Sequence, residues 1–167
     1  MTGVRAIDLD ALKADGVDSL LFDLDNTVSP HHSTTVVPEI REWLATLPGQ
    51  GFSVCFVSNN WHDDVHERAA ALGFPVVSKA CKPLPAGIRK AMRLLGSEPG
   101  ACVMVGDQLF MDILGGRLAG MRTILVEPLT RVDLPHTRVL RRLEQRIMAG
   151  RGPAAWGGGP GGVVGEC

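Results

Sequence analysis

Asp23 and Asp25 stand two residues apart at the end of the apolar run Ser19-Leu20-Leu21-Phe22, a spacing at which two carboxylates can do chemistry together. Alternate side chains leave an extended backbone on the same side, so both acids can converge on one small volume while Leu24 points the other way. Like charges this close repel. Either one carboxyl keeps its proton or a cation neutralises the pair, and Mg2+, a hard ion that takes oxygen ligands, would make the second solution work. Taken alone, the pair could equally close a strand as turn residues beside Asn26.

Further polar groups recur at comparable places. Ser58 and Asn59 follow the apolar run at residues 52–57, Lys82 precedes Pro83 at the start of a helical pattern, and Asp107 follows the apolar run at residues 101–105, with Asp112 five residues on. Singly, Ser58 reads as a turn residue, Lys82 as a surface lysine and Asp107 as a helix cap. Their joint order overturns those readings, because a scaffold without chemistry has no physical need for all of them.

The elements between them must bring these residues together. Helical patterns are expected over residues 7–15, 38–47 (Pro38 first; Ile40, Trp43, Leu44 and Leu47 inward), 63–72 (Val65, Ala69 and Leu72 inward), 84–95 (Ile88, Met92 and Leu95 inward) and 112–120. Between them, short apolar runs at 19–22, 52–57, 74–77, 101–105 and 123–126 read as strands buried on both faces. Strands alternating with helices at this spacing need right-handed crossovers, which predicts an α/β fold, a three-layer doubly wound parallel sheet. Polar residues at the carboxyl ends of separate strands then meet in one crevice.

Length and composition set the limits. With 167 residues the chain suits one domain, expected over 1–149, followed by a Gly- and Pro-rich tail at 150–167 expected to be disordered. Eighteen acidic residues against 17 basic ones give no overall field for nucleic acid. The 4 cysteines form no Cys-x-x-Cys pair, which favours reduced thiols and a cytosolic setting. No apolar run reaches the length of a membrane span, and the first residues, with Asp8 and Asp10, lack the basic and apolar blocks of a signal peptide. His31 and His32 read as a solvent-facing pair on a loop rather than as metal ligands, and Trp43 and Trp61 as core or rim residues.

Asp23-Leu-Asp-Asn-Thr, a strand ending Ser58-Asn-Asn, Lys82-Pro opening a helix and Gly106-Asp-x-x-x-x-Asp112 together resemble the haloacid dehalogenase (HAD) superfamily of aspartyl-phosphate phosphatases, over residues 18–128. The resemblance implies that Asp23 is a nucleophile attacking phosphorus and Asp25 the general acid and base. It further implies Mg2+ held by Asp23, the main-chain carbonyl of Asp25 and Asp107, with Asp112 as an anchor behind them. Ser58, with Asn59 beside it, and Lys82 would bind the substrate phosphate.

Neither gap in which this superfamily inserts a cap domain has room for one, so an open crevice without a cap is expected, suited to a phosphate carried on something large. The segments Gly106-Asp-Gln-Leu-Phe-Met-Asp, Thr123-Ile-Leu-Val-Glu-Pro and 137–144 resemble subfamily IIIA, a group that includes phosphatases of phosphatidylglycerophosphate, although Met111 stands where threonine is expected. The implied substrate is an anionic lipid headgroup, and the implied location is cytoplasmic, peripheral at the inner face of the membrane. A basic helix over residues 134–148, with Arg138, Arg141, Arg142 and Arg146, could face such a surface or simply be solvated. The rival readings are a phosphatase of a soluble sugar phosphate or nucleotide, and a binding module for a phosphorylated partner that has lost turnover. Oligomeric state has no signature in the sequence.

Overall fold

The computed structural model describes residues 3–30, 36–62 and 64–130. The His31–His32 pair, the basic segment at 134–148 and the tail at 150–167 lie outside the described residues.

The run Ser19–Phe22 forms β1, buried along its whole length, and it pairs in parallel on both edges, with β2 (Ser53–Val57) and with β4 (Cys102–Gly106). Adding β3 (Val76–Val77) and β5 (Arg122–Leu125) completes a five-stranded sheet in the order β3-β2-β1-β4-β5. The chain therefore steps outward from β1 to β3, crosses back over the sheet and continues outward on the other side. Its direction of travel reverses between β1 and β4, and a crevice opens there at the carboxyl ends of the strands.

Helices cover both faces because the strands alternate between them. Leu20, Phe22, Val54, Phe56, Val103 and Val105 pack with Leu12 of α1 (Leu9–Ala14), Ile40 and Leu44 of α2 (Pro38–Thr46), and Val65 and Ala69 of α3 (Asp64–Leu72). Leu21, Cys55, Val57, Cys102 and Met104 face Ile88, Ala91 and Met92 of α4 (Pro85–Leu95), with Ala119 and Met121 following α5 (Leu114–Leu118). The result is the expected three-layer doubly wound sheet. No cap domain is built from the described residues, and none of their helices is long and apolar enough to cross a membrane.

Several boundaries shift for local reasons. The helix expected at 7–15 shortens to α1, preceded by a separate 3-10 turn at Val4–Ala6, and its start is fixed by the Asp8 carboxylate accepting from the Ala11 N–H at 2.9 Å. The strand expected at 74–77 shortens to two residues, since Pro75 offers a carbonyl to Phe56 N–H but has no N–H of its own. The helix expected from Asp112 is preceded by a wide π turn at Leu109–Ile113, in which the Asp112 carboxylate reaches back to the Gln108 N–H at 3.1 Å.

Candidate active site

Register decides which side chains meet. Phe22, the last residue of β1, is level with Phe56 of β2 and Val105 of β4, so Asp23 emerges beside the ends of both neighbours, and its N–H is held by the Val105 carbonyl at 2.8 Å. Ser58 and Asp107 leave their strands one residue further along. Asn26, in the left-handed region at φ 68°, turns the chain sharply after Asp25.

Lys82 is the hub. Its buried ammonium donates to Asp23 Oδ1 at 2.6 Å, to Asp112 Oδ1 at 2.7 Å and to the Val57 carbonyl at 2.9 Å, which accounts for all three of its protons. The approach of Lys82 is set by Asn59, whose carboxamide accepts from the Lys82 N–H at 2.7 Å and donates to the Lys82 carbonyl at 3.0 Å. The peptide bond from Lys82 to Pro83 is cis. Burial alone would lower the proton affinity of Lys82, but Asp112 and Asp23 outweigh it and hold the ammonium above its ordinary value. The Asp23 carboxyl is pushed well above the usual carboxylate range, first by burial and then by Asp112 and Asp107, with Lys82 opposing.

One oxygen of Asp23 is thus engaged, while Oδ2 is buried without a hydrogen-bond partner. Asp23, Asp107 and Asp112 each offer an oxygen within 4.8 Å of the others. Asp112 is already answered on both oxygens, by Lys82 and by Gln108 N–H. Asp107 accepts from Thr27 Oγ1 at 3.3 Å and, distantly, from Asn26 Nδ2 at 3.5 Å. An orphaned buried carboxylate oxygen facing other carboxylates is the donor set a hard divalent cation requires, so these residues fit Mg2+, with Asp23 and Asp107 the better placed side chains.

The Asp25 side chain turns out of this cluster. Its Oδ2 accepts from Ser58 Oγ at 3.1 Å, and its Oδ1 accepts from Arg68 Nη1 at 3.0 Å. Ser58 is itself oriented by the Asn60 N–H, 3.0 Å from Oγ. Asp23, Asp25, Ser58, Asn59, Lys82, Asp107 and Asp112 therefore lie around one crevice, with Asp112 behind Lys82 and the Asn59 side chain committed to the Lys82 main chain.

Three contributors carry no separate expectation from the sequence. Asn26 binds both the N–H and the carbonyl of Thr130, at 2.8 and 2.9 Å, tying the loop after β1 to the segment after β5. Thr27 buttresses Asp107. Arg68 is buried at 3 % exposure on the inward stripe of α3, between Val65 and Leu72. A charged residue at helical spacing among apolar ones was the signal available for it.

A family model described as haloacid dehalogenase-like hydrolase matches residues 5–120. The chain belongs to the haloacid dehalogenase-like hydrolases. A Bacillus subtilis protein named "Probable phosphatase YqeG" is 36% identical over 138 residues, covering 83% of this chain and 80% of that protein. The Arabidopsis thaliana phosphatidylglycerophosphate phosphatase 1, chloroplastic/mitochondrial, is 32% identical over 156 residues, 87% of this chain, which spans 44% of that relative's length. Among solved structures, the HAD-hydrolase YfnB of Bacillus subtilis, bound to magnesium, shares the fold with a TM-score of 0.57 at 14% identity, covering 72% of this chain and 91% of that one. The protein is a phosphatase of this family.

Proposed function

We propose that the protein is a Mg2+-dependent phosphomonoester hydrolase that works through an aspartyl-phosphate on Asp23 and converts phosphatidylglycerophosphate to phosphatidylglycerol. The observation that carries the chemistry is the asymmetry of Asp23: Lys82 fixes one oxygen, and the other is buried without a hydrogen-bond partner. In the first displacement an Asp23 oxygen bonds to phosphorus as the bond to the leaving oxygen breaks, and protonated Asp25 delivers its proton to that oxygen. In the second, water attacks phosphorus and gives a proton to Asp25, the bond to Asp23 breaks, and phosphate leaves with both aspartates restored. Ser58 and Lys82 supply donors to the phosphoryl oxygens. Mg2+, held by Asp23, Asp107 and the Asp25 carbonyl, would offset the charge that builds on the transferring group.

Support for a lipid substrate comes from the relatives' names and from the rim. Trp61 is 68% exposed and Leu84 62%, each close in sequence to a site residue, and the Lys79 ammonium lies 5.2 Å from the Trp61 ring centre. An exposed indole, a leucine and a cation suit the boundary between headgroups and acyl chains. In this reading the enzyme works peripherally at the cytoplasmic, inner face of a membrane. Phosphate release with Mg2+ from phosphatidylglycerophosphate in mixed micelles, beside soluble sugar phosphates and nucleotides, tests it. A preference of about tenfold or more in kcat/KM for the lipid is expected. Equal or better turnover of a soluble ester would assign the enzyme to small metabolites, and no turnover of any ester would leave a phosphate-binding module.

A further inference from the structure

Burying an arginine on the inward face of a helix is costly unless its charge is answered, and Arg68 spends that burial on Asp25 and Asp64. Its Nη1 donates to Asp25 Oδ1 at 3.0 Å and its Nη2 to Asp64 Oδ2 at 3.1 Å. Asp64 lies one turn earlier on α3, so the guanidinium is tethered to its own helix while it grips a residue on the loop after β1. The grip falls on Asp25 Oδ1. The other oxygen is held by Ser58, a group that the proposed mechanism assigns to the substrate phosphate.

We infer that Arg68 is a positioning residue for Asp25: anchored by Asp64, it holds Oδ1 in place, so that when the Ser58 hydroxyl turns to the substrate, Oδ2 alone is released toward the leaving oxygen and later toward water. This rests on the phosphatase reading above and adds to it the device that aims the acid. A planar guanidinium suits the task, since one nitrogen on Asp64 and the other on Asp25 set where Oδ1 sits relative to α3. Without it, Asp25 keeps its chemistry but loses its aim.

The test compares two substrates that differ in their need for a proton. An alkyl phosphate requires protonation of its leaving oxygen, whereas p-nitrophenyl phosphate does not. With Mg2+ present, Arg68→Met is expected to lower kcat on the alkyl ester by about ten- to a hundredfold, part of the usual worth of general acid–base catalysis, with KM little changed. Release of the first nitrophenolate should be nearly spared, while hydrolysis of the aspartyl-phosphate slows, so a burst of nitrophenolate is expected. Arg68→Lys should recover part of the loss, and Asp64→Asn, which loosens the tether without touching Asp25, should show the same leaving-group pattern more weakly. Equal losses on both substrates without a burst, in variants that melt near the wild type, would overturn the inference. If Arg68→Met melts early, Asp64→Asn and Arg68→Lys decide it by the same pattern, and its absence in both overturns it. A wild-type protein that hydrolyses neither ester would count against the phosphatase reading itself, before Arg68 is in question.

Discussion

Lys82 shows how one residue can serve stability and chemistry together. Its three protons hold Asp23, Asp112 and the end of β2, so the ammonium that would assist phosphoryl transfer also binds three segments of chain. Asp112 shares that work, and Gly106 makes room for it, since a Cβ at Gly106 would collide with the Asp112 carboxylate. The thiols mark the other extreme of environment. Burial pushes Cys55 up to about 12 and raises Cys102, whereas Cys81 is exposed. A raised thiol value leaves almost no thiolate at neutral pH, and reactivity returns only as pH climbs toward that value. Alkylation of the native protein at neutral pH, followed by peptide mass spectrometry, should therefore label Cys81 while sparing Cys55 and Cys102, and denaturant should expose all three. Rapid native labelling of Cys55 would contradict the packing described for β2.

At the scale of elements, β1, β2 and β4 were legible because buried parallel strands are short apolar runs that here end abruptly in polar residues, whereas the order of strands around β1 and the partial exposure of the edge strands β3 and β5 are set by pairing that no local run encodes. The inward stripes of α2, α3 and α4 were legible from spacing. What spacing could not reveal was the reason for Arg68, which occupies a stripe position with the wrong chemistry for a core and is answered by Asp64 on its own helix and by Asp25, 43 residues away in sequence. Nor could it reveal the π turn before α5, which exists because the Asp112 carboxylate bonds to the Gln108 N–H and to Lys82. The close approach of α5 to the sheet is a further tertiary fact. A Cβ on Gly116 would lie 2.6 Å from Thr123 Cγ2 and 2.9 Å from Met104 Cβ. Gly116→Ala should consequently destabilise the protein by about 1–3 kcal/mol, read as a lower midpoint in urea, because both neighbours belong to packed strands. An unchanged midpoint would mean that α5 can withdraw without cost.

For the whole molecule, the crevice lies where the sheet order reverses, and the three carboxylates gathered there carry more negative charge than the Lys82 ammonium between two of them answers, which a divalent cation would offset. A ligand that binds only the folded state stabilises it by mass action, about 2.7 kcal/mol at a hundred times its dissociation constant. Mg2+ should raise the melting temperature by several degrees and EDTA should reverse the rise. Asp107→Ala should abolish both that shift and most of the activity. A melting temperature indifferent to Mg2+ would remove the ion from the account. The central claim is that Asp23 carries the phosphoryl group. Acid quenching of the Mg2+-supplied enzyme during turnover of phosphate-labelled substrate, followed by peptide mapping, tests it most directly. The account predicts a base-labile label on the peptide containing Asp23, lost in Asp23→Asn together with at least about a thousandfold of the rate in a protein that still folds. A label on another residue, or steady hydrolysis by well-folded Asp23→Asn, would contradict it.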